Sequence, residues 1–266
     1  MRITCIALLV LASGWAHASE QACDSKRIVT QAWPDAASIT DDSIRVADAT
    51  VTLAAGTPQS VLCKVWPARP ELTLAAVPLM TTPADAEDYS TGDLELLVLD
   101  SATLQVKQRL RLPNRMDDDA MYISRISLDT ARWKVAADQL AFGLRIDKSG
   151  SSRVNPFSEK VLSLYVIDNN SLRPVLKGVV AAETGGEWDG ACAGNFSEAA
   201  RTLSLSETAS FGYRDIIVNE KHIDSVFRGE VQNCQSTETK SSASYRLRYD
   251  GKQYSVPEKL QAIADE

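Results

Sequence analysis

Short apolar runs, each bounded by Gly, Pro, Asn, Asp or Ser, recur along the whole chain, and this pattern reads as strand and turn. Candidate strands occupy residues 49–54, 60–65, 72–77, 94–99, 106–112, 123–128, 140–146, 161–167, 175–180, 202–205, 215–218, 245–249 and 253–256. Helical periodicity is scarce. One stretch has a start signal: Pro257 suits a first helical turn, and residues 258–263 continue it. The fold class expected is all-β, with many short antiparallel strands arranged as a β-propeller-like meander or, alternatively, as a two-sheet β-sandwich, closed by a short C-terminal helix.

Two segments repeat one another. Leu96-Leu97-Val98-Leu99-Asp100-Ser101-Ala102-Thr103-Leu104 aligns position by position with Leu164-Tyr165-Val166-Ile167-Asp168-Asn169-Asn170-Ser171-Leu172. In each, an apolar strand ends at an Asp whose carboxylate can accept backbone N–H bonds in the turn. The pair resembles the strand–turn–strand units of bacterial β-propeller repeats, although the 68-residue offset is longer than one blade of roughly 40–50 residues. A third hairpin is expected at Arg248–Tyr254, where Asp250-Gly251 is a two-residue turn signal.

The N-terminus departs from this pattern. Arg2 precedes an apolar core from Ile3 to Ala12, and Ala16-His17-Ala18 supplies small residues at the positions a signal peptidase reads. Residues 1–18 are therefore expected to be a cleaved export signal, cut before Ser19, with residues 19–266 forming one all-β domain. Cys23 is separated from Ala18 by four residues, which fits a lipid-anchor motif poorly. No window approaches the roughly 20 apolar residues of a membrane span, so a soluble periplasmic or secreted protein is expected.

Export changes the meaning of the cysteines. Cys5 leaves with the signal, and Cys23, Cys63, Cys192 and Cys234 remain for an oxidising compartment. Of three possible connectivities, the local one, Cys23 with Cys63 and Cys192 with Cys234, is favoured. Each bridge would close a loop of about 40 residues, worth roughly 4 kcal/mol by chain entropy. No close C-x-x-C pair is present to hold zinc, and no metal or other cofactor is expected.

Charge and histidine content narrow the chemistry. The whole chain has 28 basic and 35 acidic residues; losing Arg2 leaves 27 against 35, a net charge of −8. The basic residues are dispersed, so nucleic acid is not an expected partner. His17 leaves with the signal and His222 alone remains, beside Lys221 in a polar run; no G-x-S-x-G elbow accompanies it. Asp117-Asp118-Asp119 lacks the alternate spacing and central Gly of a calcium loop and reads as a charged turn.

Three polar segments stand out. Residues 235–244 read as an exposed loop after Cys234. Residues 149–158 read as a long loop in which Ser149, Ser151 and Arg153 could hold an anion or a partner's polar groups. Glu187, Trp188 and Asp189, flanked by Gly185-Gly186 and Gly190, suit a recognition loop, or else a site where Trp188 packs on the Cys192 bridge. Residues 149–157 and 186–189, together with Ala141–Ile146 and the closing Tyr245–Tyr254, resemble exported proteobacterial proteins of unknown function. That resemblance implies an exported bacterial protein and carries no activity with it.

The reading leans away from an enzyme. The first expectation is a binding protein that meets an unknown protein or glycan of the cell envelope. The alternatives are a carboxylate-based hydrolase of an envelope glycan and an inhibitor of a foreign enzyme such as a lysozyme. The sequence leaves the oligomeric state open.

Overall fold

A computed structural model describes residues 23–81, 89–117 and 120–262. The expected signal 1–18 and its cut before Ser19, as well as Asp118, Asp119 and Ile263, lie outside the described residues. The fold is all-β, built from two seven-stranded sheets whose paired strands are antiparallel. The two-sheet alternative describes it.

The first sheet contains β1 (Ala37–Thr40), β2 (Ser43–Val46), β3 (Ala49–Thr52), β4 (Leu62–Val65), β5 (Leu72–Met80), β6 (Gly92–Asp100) and β7 (Val106–Leu112). Its order is β1-β2-β3-β5-β6-β7, and β4 also pairs with β5. A single helix, α1 (Ser25–Ala32), precedes it; the Asp24 carboxylate accepts the Arg27 N–H at 3.0 Å and caps the first turn. The helix buries Ile28, Val29 and Ala32 against Val51, Val77 and Leu97 on the outer side of this sheet.

The second sheet runs β14-β13-β12-β11-β10-β9-β8. Its strands are β8 (Met121–Lys134), β9 (Leu140–Gly150), β10 (Phe157–Asp168), β11 (Ser171–Trp188), β12 (Gly194–Ser210), β13 (Tyr213–Arg228) and β14 (Gln235–Leu247). Between the sheets lies a core of Leu74, Leu94, Leu96 and Val98 from one side and Ile123, Leu144, Ile146 and Tyr165 from the other. Trp66 meets Phe142 edge-on there, with ring centroids 5.6 Å apart. A third apolar cluster joins Leu162, Leu164 and Val166 of β10 to Ile216, Val218 and Leu247 and to the closing segment with Tyr254 and Leu260.

Both repeated hairpins form, one in each sheet, and Gln108 of the first donates to the Asn170 Oδ1 of the second at 2.7 Å. Asp100 accepts the N–H groups of Ala102 and Thr103, both at 3.1 Å. Those backbone bonds, with help from Lys107, hold its carboxyl below the usual range. At the third hairpin Asp250 stands just before the turn and Gly251 takes its first central position with φ +99°, while Tyr249 pairs with Tyr254. Residues 253–256 therefore contribute this one bridge rather than a strand. The C-terminal helix is a three-residue 3-10 turn, Glu258–Leu260. Beyond it, Gln261 pairs with Val179 of β11.

Two corrections concern polar segments. Residues 235–244 are not a loop: they are the exposed start of the edge strand β14, paired residue by residue with β13. Their lack of alternation follows from both sides of this strand facing solvent. The 149–158 loop is also shorter than expected. Ser149 and Gly150 finish β9, Phe157 and Ser158 open β10, and six residues connect them. The disulfides join Cys23 to Cys63 and Cys192 to Cys234, with Cα atoms 5.5 and 5.7 Å apart, as the local pairing predicts.

Candidate functional site

The outer halves of β11 to β14 form an arm that extends past the three apolar cores. The register places its side chains. Across β11, β12 and β13, Gly194 pairs with Trp188 on one side and Phe227 on the other; one row inward stand Gly186, Phe196 and Ser225; the next row is Thr184, Glu198 and Ile223. Directly paired residues share a face, as do residues two apart on one strand. Trp188, Phe196, Phe227 and Ile223 therefore lie on one face of the arm. The third row continues through Ser158 and Ser149 to Tyr122 on β8.

The glycines explain how the rings fit. A Cβ at Gly186 would collide with the Phe196 ring, and one at Gly194 would stand 2.9 Å from Phe196 Cε2 and 3.3 Å from Trp188 Cδ1. Phe196 thus lies across two bare backbone positions and meets Phe227 edge-on at 5.5 Å. Beside it, Thr184, Glu198, Ile223, Ser225 and Glu238 line a shallow hollow of about 320 Å³ with Pro156. Trp188 is 38% exposed, and Phe196, Phe227 and Ile223 are half-buried. Gly186→Ala is expected to push the Phe196 ring off Phe227 and to cost about 1–2 kcal/mol; thermal melts and the ring proton shifts of Phe196 and Phe227 would check it.

The structure brings the two sequence-predicted segments together. The Trp188 N–H donates to Val154 O at 2.8 Å, so the connection carrying Ser151 and Arg153 runs beside the end of β11. Glu187 and Trp188 belong to strand β11 rather than to a loop, because their backbone continues the ladder to Asn195 and Gly194. Asp189 opens the turn that follows. Its carboxylate accepts the N–H groups of Ala191 and Cys192 at 2.8 and 2.9 Å, and these backbone bonds hold its pKa below the ordinary value. Ser149 lies within hydrogen-bond reach of Ser124 at 3.5 Å, and the Ser151 N–H donates to Ala120 O. Arg153 is exposed and makes no side-chain hydrogen bond or ion pair to a described residue.

Sequence reasoning singled out Trp188 alone of the aromatic row. Phe196 and Phe227 stand 8 and 39 positions later, and only the register unites them. The Gly186 and Gly194 spacing was the available signal. His222 lies on the other face of the arm, 3.0 Å from Asp224 Oδ1. Among the described residues no cluster of three His, Cys, Asp or Glu side chains is placed to hold a metal ion. Comparison with protein-family models, with curated proteins and with solved structures finds nothing that matches the chain.

Proposed function

We propose that this is a non-enzymatic binding protein of the bacterial periplasm or cell surface, and that it docks an envelope partner, protein or glycan, on the aromatic face of the arm. One observation carries the reading: three aromatic side chains are displayed together on an arm whose residues do not need them for a core. Half-exposed Trp and Phe beside polar neighbours are the composition of a contact centre. The two disulfides fit an oxidising, exported setting, and no helix among the described residues is long and apolar enough to cross a membrane. The hydrolase alternative lacks such an observation. A glycosidase needs one carboxyl raised for acid catalysis. Asp100, Asp189, Asp215, Glu220 and Asp250 are displaced downward, opposite to what an acid catalyst needs.

An aromatic photo-crosslinking residue, benzoylphenylalanine, which keeps a large ring in place of Trp188, tests this with isolated cell envelopes. A discrete adduct is expected, competed by excess wild-type protein and not by excess Trp188→Ala or Phe227→Ala. Co-sedimentation with peptidoglycan sacculi would distinguish a glycan from a protein partner. Equal labelling from a probe at Ile39, exposed on the first sheet, would sink the proposal.

A further inference from the structure

We propose that a cleft between α1 and the β6–β7 hairpin binds a carboxylate ligand. It encloses about 790 Å³, within the size range of small-molecule sites, and shares no residue with the arm. One wall is Trp33-Pro34-Asp35, where the chain leaves α1; the other is the β2–β3 turn from Arg45 to Ala49. Asp93, Arg109 and Arg111 of β6 and β7 form its floor.

The floor is built to present guanidinium groups. β7 alternates, and Arg109 and Arg111 lie on the side where their β6 partners are Leu97 and Glu95. Glu95 is 3% exposed, and its two oxygens accept the Nε–H of Arg109 at 2.7 Å and that of Arg111. One buried carboxylate thus fixes both side chains through their inner nitrogens. Arg111 Nη1 also donates to Asp93 Oδ2 at 3.0 Å, and Arg109 Nη1 to Ala32 O at 3.4 Å. The Arg109 guanidinium lies over the Trp33 ring, 5.0 Å from its centroid. Nη2 of each arginine makes no hydrogen bond to a described residue, and both side chains are 43% exposed. Across the cleft Arg45 is exposed and has no ion-pair partner among the described residues.

Preorganised, outward-facing guanidinium nitrogens recognise a carboxylate better than a neutral group, because charge-assisted bonds are stronger and their geometry is already set. The carboxylates lining the rim, Asp35 and Asp48, favour hydroxyl or ammonium groups on the rest of the ligand. Two sources share this chemistry: an acidic sugar and the C-terminus of a short peptide.

Calorimetry on the full mature chain tests it, pairing glucuronic acid with glucose and Ala-Ala with its C-terminal amide. Binding of one acid at least about 10-fold tighter than its neutral partner is expected, and the pair that responds identifies the source. Arg45→Gln, which leaves Glu95 and its partners intact, and Arg111→Lys are each expected to weaken that binding about 10-fold. No binding of either acid, equal binding of acid and neutral partner, or affinity unchanged in both variants would overturn the proposal. Because the arm is untouched, crosslinking from Trp188 would persist whichever result is found.

Discussion

Arg201→Met is expected to destabilise the fold by about 3–5 kcal/mol, because it leaves a buried carboxylate short of its main partner. The Arg201 side chain is 1% exposed. Its Nε donates to Glu220 Oε2 at 2.7 Å, its Nη2 to Glu183 Oε1 at 2.5 Å, and its Nη1 to Val180 O at 3.2 Å. Glu183 is 36% exposed and can rehydrate, so its loss counts for little. Glu220 is 2% exposed and cannot. After the substitution it keeps Lys259 Nζ at 3.1 Å and the Tyr245 hydroxyl at 3.4 Å, but Lys259 is itself 62% exposed. For a chain of this size the loss corresponds to a melting temperature lower by roughly 10 °C. Arg201→Met with Glu220→Leu should recover much of it, since removing both charges also removes their desolvation cost.

The pH dependence of this effect has a definite sign. Burial pushes the Glu220 carboxyl up, but hydrogen bonds from Arg201 and Lys259 outweigh it and hold the folded pKa below the ordinary value. A depressed folded pKa means that the stabilisation is present above the unfolded value and is lost as pH falls through the folded one. In Arg201→Met burial dominates, so the variant no longer shares this acid loss. The gap between wild type and variant is expected to be widest near neutrality and to narrow below about pH 4. A constant gap from pH 7 to pH 3 in thermal melts would contradict the assignment.

What the sequence reveals here is what short range controls. The apolar runs at 94–99 and 161–167 become β6 and β10 because burial on both sides demands continuous hydrophobicity. The cysteine spacing shows the local pairing because each bridge closes a short stretch of chain: one ties a residue just ahead of α1 to β4, the other ties the β11–β12 turn to the residue before β14. α1 escapes notice because it is only eight residues long: Ile28, Val29 and Ala32 have the i, i+1, i+4 spacing of one helical face, but two turns are too short a window for that pattern to stand out. β14 escapes because an exposed strand held by its ladder needs no apolar face. The candidate surfaces are long-range facts. Arg109 and Arg111 show their alternation, but Glu95, which turns them into a clamp, lies on the preceding strand. Trp188 is conspicuous between glycines, whereas its union with Phe196 and Phe227 depends on the register of three strands.

Replacing Cys192 and Cys234 together with Ser is expected to release the arm before it unfolds the cores. The bridge closes a 42-residue separation, worth about 4 kcal/mol if the chain-entropy account holds in full. Its local importance is greater, because β14 residues 235–242 are all exposed and pair with β13 alone. Ala199 is the fully buried apolar residue near the arm's base, and nothing at its tip matches the three clusters. Without the bridge, amides at 219–228 and 235–244 should lose hydrogen-exchange protection while those of β5, β6 and β10 keep theirs. Crosslinking from Trp188 should fall with it, since the aromatic row spans β11, β12 and β13. Cys23→Ser with Cys63→Ser is the control: Ile28 and Val29 remain packed against the first sheet, and the arm should keep its protection. If the arm stays as protected as the cores after the outer bridge is removed, the strand ladder alone holds it, and the disulfide serves only the stability of the whole chain.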